Sequence, residues 1–256
     1  MMSMKHHIAF LGALVLLFGC NEQTVRKEGF GVHGIDVSHY QKHIDWKAIA
    51  GQDVRFAFVK ATEGETFQDT LFCKNWVEIK DAGIKRGAYH FFRPTVPAAA
   101  QASNFLNWIK LDDGDLAPVL DVEVLDGVSP VALRAGIQTW LDMVEENYKI
   151  KPIIYTYQKF FNNYLAGHFP DYPIWIARYS SWRSPNLSAG NQWSFWQYGN
   201  KGRLQGINGD VDFNVFRGDL AELDNYCLVR PQPLLDPDKV IFEEEEVAVA
   251  AAPAKP

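Results

Sequence analysis

The strongest constraint on this chain is a rhythm. Between residues 32 and 165, short apolar runs alternate with stretches of helical periodicity, one pair about every 30 residues. Runs at 32–38, 54–61, 86–92, 117–122 and 152–157 read as strands, and stretches at 44–49, 72–82, 98–111, 131–147 and 160–165 read as helices. Strands separated by helices must run mainly parallel, because each helix carries the chain back across the sheet. After residue 165 the helices thin out. Three further short strands, 172–177, 193–198 and 211–213, are joined by loops rich in Gly, Asn, Ser and Pro. Eight strands of this kind predict an α/β fold closed into a TIM-like barrel with its last helices reduced. An open doubly wound sheet is the alternative, but the G-x-G-x-x-G that would favour it is absent after the first strand.

The two ends differ from this middle. Lys5-His6-His7 precedes an apolar run at 8–18, closed by Gly19-Cys20. That run is too short to span a bilayer and matches a signal-peptide core. Leu17-Phe18-Gly19-Cys20 resembles the lipobox of bacterial lipoproteins, with Phe18 departing from the usual small or β-branched residue. The expected organisation is a signal peptide at 1–20, a polar tether at 21–30, a catalytic barrel at 31–228 and a Pro/Glu/Ala-rich disordered tail at 229–256. Cys20 is the expected lipidation site, anchoring an exported protein to a bacterial membrane on its envelope or exterior side. Without lipidation the protein is secreted. Cys73 and Cys227 read as two buried free thiols, since a disulfide is possible in an oxidising compartment but nothing in the spacing requires it. A net charge of −6 and the lack of a basic stripe exclude nucleic acid as the main partner. His33, His39, His43, His90 and His168 form no metal-binding spacing, and His90 is expected to pack or bond at its strand end.

In a parallel barrel, chemistry belongs at the carboxyl ends of the strands. Those ends carry Asp36; Lys60, Thr62 and Glu63; Tyr89 and His90; Asp121 and Glu123; Tyr155 and Tyr157; Trp175, Arg178 and Tyr179; Trp196, Gln197 and Tyr198; and Asp210, Asp212 and Asn214. Asp121 and Glu123 stand one residue apart, so on a strand they share a face about 6–7 Å apart. Acids alone at a strand end are ordinary solvent-facing residues. Acids from several strands, with aromatic rings among them, fit glycoside hydrolysis, where one carboxyl donates a proton and a neighbour stays ionised. The chain is 14% aromatic, so some rings are expected to line a groove and the others to fill the core.

The motifs, taken in order, resemble a known family. Gly34-Ile35-Asp36-Val37-Ser38, Phe58-Val59-Lys60-Ala61-Thr62-Glu63-Gly64, Gly87-Ala88-Tyr89-His90-Phe91 and Leu120-Asp121-Val122-Glu123 are followed by Pro152-Ile153-Ile154-Tyr155-Thr156, Trp175-Ile176-Ala177-Arg178-Tyr179, Trp196-Gln197-Tyr198 and Gly209-Asp210-Val211-Asp212-Phe213-Asn214. Together they are similar to glycoside hydrolase family 25, the Chalaropsis-type lysozymes (N-acetylmuramidases). The resemblance implies five βα units followed by three strands, and cleavage of the β-1,4 bond between N-acetylmuramic acid and N-acetylglucosamine in peptidoglycan glycan strands. It implies no metal or organic cofactor, and the chain is expected to act as a monomer. It makes Glu123 the general acid, with Asp121, Asp36 and Asp212 as the other active-site acids. Asp121 either attacks the anomeric carbon or holds the substrate's acetamido group while that group attacks. Tyr89, Tyr155, Trp175, Trp196 and Glu63 are the expected substrate-binding residues. The rival expectations are another barrel glycosidase acting on N-acetylglucosamine polymers, and a non-catalytic peptidoglycan-binding protein on the same fold. A chitinase-type strand would carry further Asp residues at alternate positions, where this chain has Ala117 and Val119.

Overall fold

The computed structural model describes residues 26–180 and 182–230. Nine strands follow one another as β1 (Val32–Val37), β2 (Val54–Glu63), β3 (Phe67–Gln68), β4 (Lys85–Phe91), β5 (Val119–Asp121), β6 (Ile153–Tyr157), β7 (Ile174–Ala177), β8 (Phe195–Gly202) and β9 (Val211–Phe216). Their spatial order is β1-β9-β8-β7-β6-β5-β4-β2-β3, and β1 also pairs with β2, so eight strands close into a barrel with β3 hanging from the end of β2. All barrel pairings are parallel except the two made by β9, which runs antiparallel to β1 and β8.

Helices α1 (Trp46–Ala50), α2 (Phe72–Asp81), α3 (Ala98–Trp108) and α4 (Pro130–Tyr148) fill the first four crossovers. The fifth holds α5 (Gln158–Phe160), which runs on into a π-helical turn, Phe161–Leu165. Beyond it, β7, β8 and β9 follow with only a short 3-10 turn, so the barrel has five βα units and then three strands. Helix α4 starts where Ser129 accepts the amide of Ala132 and Pro130 occupies the first turn. It buries Leu133, Ile137, Trp140, Leu141 and Val144, the single face predicted from their spacing. The missed strand β3 is two residues long, too short to leave a periodic signal.

Alternation along each strand makes two separate cores. Outward residues such as Ile35, Val59 and Ile176 pack under the helices. Inward residues Phe56, Phe58, Val119, Ile153, Trp175 and Phe195 fill the barrel, and Leu223 and Cys227, at and just after α6 (Leu220–Asp224), join them. Rings dominate the interior, with Phe58 stacked on Trp175 at 4.4 Å. Two glycines make room for them: a Cβ at Gly34 would lie 2.5 Å from the Phe56 ring, and one at Gly87 2.6 Å from Phe58. The aromatic fill floors whatever stands above it at the carboxyl ends.

Both described cysteines are free. Cys227 is buried as expected, whereas Cys73 is exposed on the outer face of α2. Of the tether, the described part packs on the barrel: the Phe30 ring lies 5.9 Å from that of Trp196. No helix among the described residues is long and apolar enough to cross a membrane. Residues 1–25 and 231–256, which carry the expected signal peptide, Cys20 and the acidic tail, lie outside the described residues.

Candidate active site

Directly above the aromatic fill, the inward residues turn polar. Asp36 closes the inward series of β1 after Val32 and Gly34, and its antiparallel partner on β9 is Asp212. The Asp36 carboxylate accepts Nε2 of Gln197 at 2.8 Å and Nδ2 of Asn214 at 2.7 Å. Both amides are held in turn. Trp175 Nε1 donates to Asn214 Oδ1 at 2.8 Å, and the hydroxyls of Tyr155 and Tyr179 donate to Gln197 Oε1 at 2.8 and 3.0 Å. Each amide therefore has its oxygen occupied and its nitrogen turned to the acid.

Burial raises the Asp36 carboxyl, while hydrogen bonds from Asn214, Gln197 and Asp212 oppose the rise. Asp212 is pushed up to about 9, by burial first and then by the charge of Asp36 and the hydrogen bond to it. At neutral pH Asp212 thus holds a proton and shares it with an ionised Asp36.

The second acid pair comes from β5. Asp121 ends the strand beside Tyr155 of β6, and Glu123 follows two residues later, half-buried. The two carboxyls hydrogen-bond each other, which requires a proton between them. Burial and then the charge of Glu123 hold Asp121 well above the usual carboxylate range. Burial, with the charge of Asp36, also raises Glu123. The shared proton favours the more buried Asp121, with Glu123 accepting it. Asp121 Oδ1 is buried and has no hydrogen-bond partner among the described residues. The mutual electrostatics of Asp36, Asp121, Glu123 and Asp212 place all four acids in one cluster.

The other expected residues divide. Tyr89 is half-buried, and its phenol is raised well above its ordinary value by burial and by Asp36, Asp121 and Asp212, so it faces the acids. Tyr155 is buried and committed to Gln197. Trp175 is buried beneath the polar layer, where it steers Asn214 rather than meeting a sugar. Trp196 points the other way. It sits in the outer core, 1% exposed, with Nε1 on the carbonyl of Arg178 at 2.8 Å, so it is no sugar platform. Glu63 is likewise not open to substrate, because Lys60 Nζ at 2.6 Å and Arg93 Nε at 2.9 Å occupy its two oxygens. His90 is buried between Thr62 and Gln101, and burial lowers it to about 4.

Residues read at the strand ends without an assigned role complete the cluster. Lys60 is buried, its ammonium over the Phe91 ring at 5.1 Å, and its charge pulls down both Asp121 and Glu123. Gln197 and Asn214 share the inward face of their strands with Asp212, and that alternation was the available signal. At the mouth stand the exposed rings of Tyr40, Phe67, Tyr157, Tyr179 and Trp182. A cleft at the opposite end of the barrel carries Lys149, Lys151 and Arg217 with the single acid Glu222, and no acid pair. Among the described residues no group of His, Cys, Asp and Glu is arranged to hold a metal ion.

Comparison with known proteins points the same way. The family model described as glycosyl hydrolases family 25 matches residues 35–207. The chain is 45% identical over 199 residues to the uncharacterized protein YegX of Escherichia coli K12, covering 76% of this chain and 72% of that protein. It is 36% identical over 225 residues to lysozyme M1 of Streptomyces globisporus, covering 80% and 74%. Among solved structures, a family 25 glycosyl hydrolase from Bacillus anthracis superposes with a TM-score of 0.74 at 34% identity, covering 78% of this chain and 95% of that one.

Proposed function

The chain belongs to glycosyl hydrolases family 25, and from that premise we propose how its acid cluster cleaves peptidoglycan. The protein is a peptidoglycan hydrolase of the lysozyme type. The bond cut is the β-1,4 link from N-acetylmuramic acid to N-acetylglucosamine. One observation carries the assignment of roles: two hydrogen-bonded carboxyls at the end of β5, one of which keeps a buried oxygen without a partner.

An acetamido N–H is the donor that this Asp121 oxygen lacks. When the sugar binds, that N–H stabilises the ionised form of Asp121, so the shared proton moves to Glu123. Glu123 then protonates the glycosidic oxygen as the bond to C1 breaks. The acetamido carbonyl oxygen, oriented through its N–H, closes onto C1 and spreads the developing positive charge over the amide. Water next opens this ring at C1, giving its proton back to Glu123. Asp36, ionised and fixed by Gln197 and Asn214, supplies a constant negative charge facing the cationic transition state. Tyr89 lines the sugar's approach.

Clearing of a peptidoglycan suspension tests the roles. Glu123→Gln is expected to lower the clearing rate by at least about 100-fold, the usual scale for removing a general acid. Equal and negligible clearing by both proteins would favour a non-catalytic wall-binding protein instead.

The enzyme works on the cell wall, and export with a lipid on Cys20 fits that place. One acyl chain binds a membrane only marginally, whereas the two-signal anchor of a lipoprotein holds stably. Detergent-phase partition of the protein made in a bacterial host, lost in Cys20→Ala, supports the anchor. Aqueous partition of both proteins counts against it. Residues 31–228 are proposed as the catalytic unit, acting as a monomer.

A further inference from the structure

The exposed rings are not scattered. Among the described residues five aromatic side chains are exposed, Tyr40, Phe67, Tyr157, Tyr179 and Trp182, and all follow the carboxyl ends of β1, β2, β6 and β7. The exposed large aliphatic residues, Val77, Val131, Leu220 and Val229, lie elsewhere. Trp182 is the extreme case, 94% exposed, while the other seven tryptophans are buried or half-buried. Leaving an indole in water forfeits about 25 cal/mol per Å² of apolar surface, and Trp182 does so three residues after Tyr179, whose hydroxyl reaches Gln197.

The loop that carries it is held. Ser180 Oγ accepts the amide of Arg183 at 3.1 Å, and its carbonyl accepts Lys27 Nζ at 3.3 Å. Arg178 Nη1 donates to Gln158 Oε1 and to the carbonyl of Ser184, both at 3.1 Å. The ring is therefore presented on braced backbone rather than on a loose tip. Tyr179 links it to the chemistry: 55% exposed, it still donates its hydroxyl to Gln197 Oε1, the amide that holds Asp36.

We propose that Tyr179 and Trp182 form a carbohydrate platform for sugars of the glycan strand beyond the pair that is cut, so that the enzyme selects long strands over short fragments. The proposal rests on the peptidoglycan reading above. Pyranose faces present C–H groups of slight positive charge, which suit the negative face of an aromatic ring. Three arguments favour sugar over a lipid surface. The Trp182 loop follows the carboxyl end of β7, Tyr179 in that loop is hydrogen-bonded to the amide that holds Asp36, and the acid cluster itself would repel an anionic membrane.

The test compares kcat/KM on purified peptidoglycan glycan fragments of four and of twelve or more sugars. Native protein, Trp182→Ala, Trp182→Phe and Tyr179→Phe are measured, with thermal melting as the folding control. A stacking contact of about 0.5–1.5 kcal/mol predicts that Trp182→Ala lowers the long-to-short ratio of kcat/KM up to about tenfold. Trp182→Phe keeps most of the ratio. Tyr179→Phe keeps the stacking ring and the ratio, but lowers kcat on both lengths by loosening Gln197. An unchanged ratio in Trp182→Ala overturns the platform. So does a loss confined to sedimentation with phosphatidylethanolamine–phosphatidylglycerol vesicles, which would make Trp182 a membrane contact. If the native protein cuts neither fragment, the hydrolase reading fails rather than the platform.

Discussion

Lys60 is expected to set where on the pH scale the proposed acid pair works. It is a buried cation in a cluster otherwise made of acids, and its charge lowers both Asp121 and Glu123. Its charge acts on Glu63 on its own strand, on His90 of β4, and on Asp121 and Glu123 on and after β5. Only β4 lies between Lys60 and Asp121, so two strand spacings of about 4.8 Å separate their backbones. Over roughly 9 Å at an effective dielectric near 20, one unit charge is worth about 1.8 kcal/mol. That equals about 1.3 pKa units. Lys60→Met removes this charge, while Arg93 still neutralises Glu63.

The working form of the pair holds one proton, so activity falls when a second is gained or the last is lost. Without the cation both steps move up in pH. The bell-shaped profile of initial clearing rate is therefore expected to shift about one unit toward alkaline pH, with Lys60→Arg restoring it. A lower rate with an unmoved profile would refute the electrostatic role and leave Lys60 a packing residue. A raised KM with an unmoved profile would make it a substrate ligand.

Three further outcomes follow from the same geometry. Asp212 is pushed up to about 9, so its carboxyl resists ionising in the folded state and costs stability above the pH near 4 where the unfolded chain ionises it. Asp212→Asn, a neutral isostere able to donate to Asp36, should raise Tm at pH 7 while lowering the clearing rate, and a lower Tm would contradict this. His90, lowered to about 4 by burial, stays neutral when folded, whereas the unfolded chain binds its proton below about 6.5. Stability from this group is full above pH 6.5 and is lost as pH falls toward 4, by up to about 3 kcal/mol, so the Tm difference between native protein and His90→Gln should shrink between pH 7 and pH 4.5. Finally, attack on C1 by the substrate's acetamido oxygen and then by water inverts that carbon twice, so configuration is retained. Proton NMR of fresh product should show the β anomer first, and α anomer first would contradict the acetamido route.

Much of the fold was legible in the sequence because most barrel strands are buried on both faces. Continuous apolar runs such as residues 54–61 therefore stand out, and α4 shows its buried stripe at helical spacing. The acids were legible for a related reason: Asp36, Asp121 and Asp212 each end or interrupt an apolar run. The misjudged residues failed on facing. The chemistry of Trp196 suggests a sugar platform, but Phe195 and Gln197 on either side point inward and so send it outward. Glu63 was misjudged because a register shift between Lys60 and Thr62 turns the strand end and lets Glu63 meet Lys60, a local irregularity with no sequence signal. Trp182 sits in an irregular loop, where no periodicity says which way a side chain faces. Its loop is held by Arg178 on Gln158 and by Lys27 on Ser180, contacts across residues that only the fold brings together.

Glu123 and Asp121 are proposed to cut the muramic acid linkage. Borohydride labelling of the new reducing ends in digested peptidoglycan tests it most directly. The account requires muramitol from the native protein and almost none from Glu123→Gln. Glucosaminitol ends, or equal release by Glu123→Gln, would contradict it.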